Sequence, residues 1–468
     1  MITVMGTGTS TGAGSAGAVP AAHGEDRSRA RALAEATLVV GARRHLDAAP
    51  LPPGAERIVL GPLAPALDAI AAHLGGARSH SGTGEDAPAR VVVLASGDPG
   101  FFGIVRALAE RFGASALRVL PSVPSVGLAF ARAGLSWDDA AVVSAHGRDP
   151  RTAVNLCRSH PKTAVLTGPA CGPAELGAAL AGTGIPRTLV VATSLGTEDE
   201  RVERLSPAEA AARAWPDPVS VVLCLDPART VPSAQRALAG GRTPRSRWAL
   251  PEEEFAHRDS MVTKYEVRAL ALARLAPGPG DLIWDVGAGS GSVAVECALL
   301  GAAAVAVEQA ADGVERVRAN AAAHGVDLQT VHGGAPGVLD GLPDPDAVFV
   351  GGGGRDLAGI VAACAARARR SVVVTLAALD RVPEVRAALS GAGLVTDGVL
   401  LNSSRLSPLP GDVMRLAATN PVFVLWGTVP HAGPATAEST HGSAPGGNPG
   451  STPANTPENN DTSEGAAP

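Results

Sequence analysis

Residues 282–291 read Leu-Ile-Trp-Asp-Val-Gly-Ala-Gly-Ser-Gly, an apolar run that ends in a glycine-rich turn. The run 282–286 predicts a buried β-strand, and apolar residues at helical spacing over 293–300 predict a helix directly after the turn. Gly287 and Gly289 carry no Cβ atom, so the backbone can approach a ligand there while the helix start offers unpaired N–H donors. The stretch therefore predicts a ligand site between a strand and a helix.

The spacing of the turn indicates which ligand it holds. A dinucleotide fingerprint reads G-x-G-x-x-G, whereas this turn reads G-x-G-x-G after Asp285, a pattern typical of S-adenosylmethionine (SAM) methyltransferases. Glu308 ends the next predicted strand, where a carboxylate can accept hydrogen bonds from both hydroxyls of a ribose. We therefore expect SAM here, and the turn residues predicted to bind it are Gly287, Ala288, Gly289, Ser290 and Gly291.

Alternating strands and helices predict the architecture of the second half of the chain. A helix over 264–275 leads in, and strands are expected at 282–286, 304–308, 347–350, 371–376, near 400 and at 422–426. This order predicts one doubly wound, Rossmann-like domain over 249–428. In the segment before it, we interpret the acidic triplet Glu252–Glu254 as a solvated helix start. Thr263 is a candidate helix cap.

The first half shows the same alternation. Strands are expected at 2–5, 37–40, 91–95, 117–120, 163–167, 188–193 and 219–225. Apolar strands separated by helices predict mainly parallel sheets covered on both faces. The segment 121–124 is a plausible joint, so we expect a domain over 1–228 with lobes at about 1–120 and 121–228. A linker over 229–248, a surface loop at 75–88 and a disordered tail over 429–468 follow from their Gly, Pro, Ser and Thr content.

The loop 97–103, Gly-Asp-Pro-Gly-Phe-Phe-Gly, leaves the predicted strand at 91–95. Asp98 then lies at the carboxyl end of a parallel strand, where open sheets place ligands. The segments 121–125 and 166–169 also follow strands in this half. These three segments predict a second ligand cleft.

Composition and charge exclude several classes of protein. Against 39 Lys and Arg, the 468-residue chain carries 45 Asp and Glu, so the net charge is −6 and no overall basic field attracts nucleic acid. No apolar run reaches the roughly 18 residues that span a bilayer, and residues 1–10 lack a signal-peptide pattern. We therefore expect a cytoplasmic protein with neither a nucleic-acid nor a membrane partner.

Cysteines and histidines give no sign of a metal site. The cysteines are five in number, scattered and never in a C-x-x-C pair, so we expect them to act as small apolar residues. We interpret His45 and His146 as turn or surface residues. The prediction is that the chain holds no metal.

Several motifs resemble known families. The first half resembles the tetrapyrrole methylases, in the motifs at 39–46, 96–103, 121–125, 166–169 and 194–202, and the second half resembles a class I SAM methyltransferase in the motifs at 250–275, 285–292, 305–308 and 346–353. In this order the two halves are similar to the fused, decarboxylating methyltransferases of cobalamin biosynthesis. The resemblance implies an α/β protein with a two-lobed tetrapyrrole methylase fold followed by a Rossmann-like SAM methyltransferase domain.

The resemblance also implies two SAM sites and a polycarboxylate tetrapyrrole substrate, a small molecule. The first site is expected to use Gly97, Asp98, Ser125 and Thr167, with Asp98 as its catalytic residue. The second adds Thr263 and Ala335 to the glycine turn and Glu308. His257 or Tyr265 is expected to donate the proton in a decarboxylation. Candidates to bind substrate carboxylates are Arg258, Lys264, Arg268 and Arg405.

The sequence is also compatible with two other functions. The loop at 6–17 departs from the tetrapyrrole methylase pattern, so the first half could bind a tetrapyrrole without reacting and act as an escort. Related folds with the EEF and DVGAGSG motifs modify other substrates, so RNA is a second alternative. A homo-oligomer is compatible with the sequence.

Overall fold

Residues 1–7, 23–79, 89–216, 220–231, 239–240, 248–258 and 262–430 are described by the structure, a computed structural model. Met1–Val429 forms one compact unit. Most of the loop at 6–17, most of the insert at 75–88 and nearly all of the tail from 429 lie outside the described residues. The division into domains at 228 and 249 stays a prediction.

A parallel five-stranded sheet, in the order β3-β2-β4-β1-β5, forms the first part of the chain. Buried Val, Leu and Ile side chains lie on both of its faces, as the apolar runs predicted. Its strands are β1 (Ile2–Thr7), β2 (Leu38–Gly41), β3 (Glu56–Val59), β4 (Val91–Ser96) and β5 (Leu117–Leu120). Its helices are α1 (His23–Ala34), α2 (Arg43–Ala48), α3 (Leu63–Ser79) and α4 (Val105–Phe112).

A second five-stranded sheet follows in the order β6-β7-β10-β8-β9. Its strands are β6 (Ala141–Ser144), β7 (Lys162–Leu166), β8 (Thr188–Thr193), β9 (Arg201–Leu205) and β10 (Val221–Leu225). Its helices are α5 (Ser125–Ala133), α6 (Pro150–Ser159), α7 (Pro173–Ala181) and α8 (Pro207–Ala211).

The expectation of a mainly parallel sheet is wrong for this second sheet. Only β6 and β7 pair in parallel, whereas β10 runs antiparallel to both β7 and β8, and β8 to β9. Residues 194–200 alone join β8 to β9, which is too short for the crossover that parallel neighbours need. The apolar run of β10 is buried along its whole length. A strand buried in this way can have parallel or antiparallel neighbours, so its sequence does not indicate the strand direction.

The second half of the chain forms a seven-stranded sheet in the order β13-β12-β11-β14-β15-β19-β16. Its strands are β11 (Leu282–Val286), β12 (Ala303–Glu308), β13 (Gln329–His332), β14 (Ala347–Val350), β15 (Ser371–Leu376), β16 (Val395–Leu401) and β19 (Val422–Thr428); β17 (Ser404–Leu409) and β18 (Val413–Ala418) form a separate hairpin. The helices are α9 (Tyr265–Leu275), α10 (Ser292–Leu299), α11 (Ala311–Ala323), α12 (Leu357–Arg367) and α13 (Val382–Gly391).

Strand β11 lies between β12 and β14, and the chain crosses first to β12 and β13 on one side of it and then to β14 on the other. Trp284 of β11 packs towards α12, whereas Ile283 packs towards α9. The doubly wound prediction is confirmed, with antiparallel strands at one edge. The carboxyl end of β11 is a topological switch point, where open sheets bind ligands.

Ion pairs and hydrogen bonds join the two halves of the chain. Arg187, whose side chain is fully buried, lies 2.7 Å from Asp327. Asn155 donates to the carbonyl of Gly280 at 3.0 Å, and Arg151 lies 3.1 Å from Asp346. The halves are therefore held together by specific polar contacts.

All five cysteines are buried and unpaired, as expected of small apolar residues. Within the described ranges, no three His, Cys, Asp or Glu side chains form a group that could hold a metal ion. Across the same residues, no helix has the length and apolar character to cross a membrane.

Candidate active sites

The glycine turn after β11 needs its glycines for two different reasons. Gly287, Gly289 and Gly291 all have left-handed backbone angles, with φ of +73°, +56° and +73°, which side chains disfavour. A Cβ on Gly287 would lie 3.0 Å from the backbone nitrogen of Gly352, so this glycine lets two loops pack. A Cβ on Gly289 would meet no protein atom within 4 Å, so the space above it is open to a ligand.

Glu308 reaches back from the end of β12 to this turn. Its Oε2 accepts a hydrogen bond from the Gly289 N–H at 2.8 Å, and its Oε1 accepts one from the Ala310 N–H at 2.8 Å. The residue is 9% exposed. Because a carboxylate can accept about four hydrogen bonds, each oxygen retains capacity for a ligand hydroxyl. The structure thus brings together Glu308 and Gly289, two residues expected to bind the same cofactor.

Asp285 lies beneath the turn and is buried. Its Oδ2 accepts a hydrogen bond from the Ala294 N–H at 3.0 Å. Burial, with a smaller contribution from the charge of Glu308, raises the pKa of Asp285 to about 7. The carboxyl therefore stabilises the start of α10, and burial favours its neutral form.

Two further loops border the turn. The Gly333 N–H donates to the Glu308 carbonyl at 3.0 Å, and the Gly351 N–H donates to the Val286 carbonyl at 3.0 Å. Ala335, predicted to contact the ligand, is half-buried in the first of these loops. The carboxyl ends of β11 to β14 therefore converge on one region of the surface.

Asn320 of α11 is a site residue that sequence reasoning missed. Its amide exchanges hydrogen bonds with the backbone of Ala256, donating at 2.9 Å and accepting at 2.7 Å, and it also donates to the Ser290 carbonyl at 2.7 Å. It is 2% exposed. The sequence did contain a signal for it: Asn320 is a polar residue in an Ala-rich helix whose apolar face carries Val314 and Val317. Asn320 fixes the lead-in segment against the glycine turn.

Arg268 does not face the site, contrary to its candidacy as a carboxylate binder. Its Nε lies 2.6 Å from Glu296, and both side chains are fully buried. Its other nitrogens donate to the carbonyls of Thr263 and Leu250. The residues of α10 around Glu296 are buried on every side of the helix, so Glu296 lies inside the protein. A buried carboxylate needs a cation as its partner, and Arg268 supplies it.

The lead-in segment also differs from expectation at its acidic triplet. Glu252 is 5% exposed, and Arg405 of β17 bonds both Glu252 and Glu266 through bidentate contacts of 2.6–2.8 Å. This guanidinium lowers the pKa of Glu252 to about 2. Only part of the triplet is thus solvated. Arg405 links the lead-in segment to α9 through Glu252 and Glu266, so its guanidinium is already engaged and does not fit the predicted role of binding a substrate carboxylate.

The remaining predicted residues of this half lie around α9. Thr263 does not cap α9, because the helix begins at Tyr265 after Lys264 and has no side-chain cap. Tyr265 is 37% exposed, with the Arg405 guanidinium 4.5 Å from its ring centre. His257 is exposed, and its Nδ1 lies 2.9 Å from the Phe255 carbonyl. Arg258 is exposed, with Asp312 at 3.9 Å.

In the first half, Gly97 and Ser125 meet at the carboxyl end of the first sheet. A Cβ on Gly97, whose φ is +60°, would lie 3.4 Å from the Ser125 nitrogen. A Cβ on Gly6 of β1 would collide with the Gly97 carbonyl at 2.3 Å. The half-buried Asp98 accepts the Gly100 N–H at 2.7 Å. The structure therefore packs the loop after β4 against the start of α5, and the cleft itself stays a prediction.

Thr167 lies after β7, in the second sheet. Its hydroxyl donates to the Ser220 carbonyl at 2.8 Å and accepts the Ser220 N–H at 2.7 Å. Loops of the two sheets also meet where the Arg148 guanidinium lies 5.5 Å from the ring centre of Phe102. The side chain of Thr167 is thus engaged by Ser220, while its strand end still borders the region between the sheets.

Two family models match separate parts of the chain. Residues 28–211 match the tetrapyrrole (corrin/porphyrin) methylases, and residues 253–406 match the precorrin methyltransferase domain. A relative from Sinorhizobium sp., precorrin-6Y C(5,15)-methyltransferase (decarboxylating), is 36% identical over 342 residues, which are 70% of this chain and 74% of the relative.

Two relatives are named for single reactions. The cobalt-precorrin-7 C(5)-methyltransferase of Salmonella typhimurium is 34% identical over 175 residues, 37% of this chain and 80% of the relative. The probable cobalt-precorrin-6B C(15)-methyltransferase (decarboxylating) of Pyrobaculum calidifontis is 33% identical over 186 residues, 38% of this chain and 93% of the relative. The motif-based resemblance is confirmed. Because the Sinorhizobium relative is 36% identical and is matched over 74% of its length, the chain belongs to the decarboxylating precorrin-6Y C(5,15)-methyltransferase family.

Proposed function

We propose that this chain methylates a precorrin-6 intermediate at ring carbons 5 and 15 and removes carbon dioxide from the acetate side chain of ring C, giving precorrin-8 in cobalamin biosynthesis. SAM is the methyl donor in both transfers, bound at two sites. The first half of the chain carries out the carbon-5 transfer, and the second half carries out the carbon-15 transfer and the decarboxylation.

The arrangement of Gly289 and Glu308 supports the proposal most directly. Each oxygen of the buried carboxylate accepts one backbone N–H and has capacity for a ribose hydroxyl. The open space over Gly289 lies at the switch point of the sheet, beside the start of α10. These features fit the nucleoside of SAM, and Ala335 is our candidate to border its base.

Few acids and bases are needed, because SAM supplies a methyl group already activated on a sulfonium. The side chains mainly hold the ring carbon in line and exclude water, an effect that can contribute about 7–11 kcal/mol. His257 or Tyr265 donates the proton that replaces the lost carboxylate. Arg258 and Lys264 remain candidates to bind substrate carboxylates, whereas Arg268 and Arg405 are held by glutamates of the chain.

The test is incubation of the full chain with a precorrin-6 substrate and SAM, followed by mass spectrometry and measurement of carbon dioxide. We expect two methyl groups and one carbon dioxide. Asp98→Ala should abolish the carbon-5 methyl alone, and Glu308→Ala the carbon-15 methyl and carbon dioxide. Asp68→Ala and Glu315→Ala, which alter exposed carboxylates, are the matched controls.

Other outcomes distinguish the alternatives. One methyl group at carbon 15 with carbon dioxide would indicate an escort role for the first half, and transfer to RNA without transfer to the tetrapyrrole would refute the proposal. Mass spectrometry of the product from metal-free substrate would show whether cobalt is required. Cytoplasmic location and assembly into a homo-oligomer stay predictions from the sequence.

A further inference from the structure

Three polar side chains meet where neighbouring parallel strands of the first sheet end. Thr7 ends β1, Ser96 ends β4, and His45 lies in α2, the helix that follows β2. His45 Nε2 lies 2.8 Å from Ser96 Oγ, and His45 Nδ1 lies 3.2 Å from Thr7 Oγ1. We call these three residues the strand-end cluster. Ser96 directly precedes Gly97, so the cluster adjoins the loop of the proposed carbon-5 site.

The partners of the two hydroxyls fix the direction of the hydrogen bonds. Thr7 donates its proton to the Ala95 carbonyl at 2.9 Å, so its oxygen accepts from His45 Nδ1–H. With the ring proton on Nδ1, Nε2 is the acceptor for the Ser96 hydroxyl. The Ser96 oxygen in turn accepts from the Arg44 guanidinium at 2.8 Å, and the Arg44 Nε–H lies 3.5 Å from Nε2. The imidazole therefore presents an unprotonated Nε2 to a hydroxyl polarised by a cation.

The charges near His45 favour its neutral form. Burial, and then the charge of Arg44, lower the pKa of His45 below its ordinary value of 6.5. Arg29 of α1, whose guanidinium donates to the Gly6 carbonyl, adds a second cation on the β1 side. The acidic group on the loop after β4 is Asp98, whose Oδ1 accepts a hydrogen bond from the Gly100 N–H of its own loop. His45 is half-buried and Ser96 exposed, so the hydroxyl is the outer member of the pair.

We propose that His45, through the Ser96 hydroxyl, accepts the proton that ring carbon 5 loses on methylation. This inference rests on the proposed function. The ring carbon forms a bond to the methyl carbon as the sulfonium–methyl bond breaks, and the electrons of that bond stay on sulfur. The carbon–hydrogen bond then breaks and its electron pair restores the conjugated ring. The proton passes to Ser96 Oγ while the Ser96 proton passes to His45 Nε2, which gives an imidazolium.

The strand-end cluster lies beside the proposed site, whereas another histidine of the same sheet, His73, makes its hydrogen bonds away from it. His73 of α3 contacts Thr37 at 2.9 Å and Glu56 at 3.5 Å, at the opposite, amino-terminal edge of the same strands. A histidine there supports the sheet and is far from the loop after β4. His73→Gln is therefore the matched control for His45→Gln.

The experiment measures carbon-5 and carbon-15 methylation by the full chain in the same reaction. His45→Gln should lower kcat for carbon 5 by about 10²- to 10⁴-fold, the usual contribution of a general base, with KM for SAM and the carbon-15 rate unchanged. Ser96→Ala should lower it at least about tenfold. Added imidazole should restore part of the carbon-5 rate of His45→Ala, which a purely structural role would not allow.

The pH dependence supplies an independent measurement. The carbon-5 rate of the unaltered chain should fall as the pH drops through the pKa of His45, and NMR of labelled histidine should place that pKa below 6.5. A His45→Gln chain with full carbon-5 activity, or a loss equal to that of His73→Gln, would overturn the inference. Absence of any 5-methyl product from the unaltered chain would instead refute the proposed function.

Discussion

Replacement of Gly289 by alanine separates the cost of backbone strain from the loss of ligand binding. The φ of Gly289 is +56°, where a side chain costs about 1–2 kcal/mol. The new Cβ would meet no protein atom within 4 Å, so no further destabilisation is expected from packing. The Gly289 N–H can still donate to Glu308. The methyl group would, however, project into the space proposed for SAM.

The loss of affinity follows from the cost of overpacking. Forcing an extra carbon into a fitted contact costs about 1–3 kcal/mol, which corresponds to about a 5- to 150-fold weaker binding of SAM. Carbon dioxide release reports on the second half of the chain alone under the proposed function. We therefore expect the KM for SAM measured by carbon dioxide release to rise by this factor.

Gly325→Ala is the matched control, because Gly325 has φ of +64° and equally open surroundings but follows α11, outside the glycine turn. Both variants should lower the free energy of unfolding in urea by a similar amount. Only Gly289→Ala should raise the KM for SAM. Equal KM values in the two variants, with equal loss of stability, would show that the donor does not lie over Gly289.

Three further changes test the buried charges. The pKa of Asp285 is raised from 3.8 to about 7. Its contribution to the free energy of unfolding is therefore fully present below pH 4 and is lost as the pH rises through 7. Relative to the unaltered chain, Asp285→Asn should thus gain about 4 kcal/mol between pH 4 and pH 8 in urea unfolding. Arg268→Met leaves Glu296 buried without its cation and should destabilise the chain by about 3 kcal/mol in the same assay, partly recovered by Glu296→Leu. Asp327→Ala removes the nearer of the two carboxylates beside buried Arg187 and should make the boundary between the halves more susceptible to limited proteolysis. A variant that stays as intact as the unaltered chain at equal protease exposure would argue against this.

The sequence predicts the glycine turn well because its physical determinants are local. An apolar strand, glycines with left-handed backbone angles and a following helix are adjacent in the chain, and Glu308 ends the next strand. Parallel pairing between β11 and β12 brings these two predicted cofactor-binding residues, Glu308 and Gly289, side by side. The loop at Asp98 is predictable for the same reason, since it directly follows a buried strand of a parallel sheet.

Features that depend on distant partners are not predictable in this way. Arg268 is a surface cation by composition, yet its position is set by Glu296, 28 residues away. The helix that carries Glu296 shows an apolar face at 293–300, but burial on its other sides follows from packing that no local pattern contains. Likewise, burial of β10 on both faces is compatible with parallel or antiparallel neighbours, so the mixed second sheet was missed.

His45 shows how a single histidine changes meaning with its surroundings. In the sequence it follows two arginines and is compatible with a surface turn. In the structure, β1, β2 and β4 pair in parallel, so the residues that follow or end them arrive at one edge. Thr7 and Ser96, 89 residues apart in the chain, then hold the two ring nitrogens in opposite hydrogen-bonding roles. The same rule places Glu308 over Gly289 in the second half, so parallel pairing, rather than any one motif, explains why both candidate sites lie where they do.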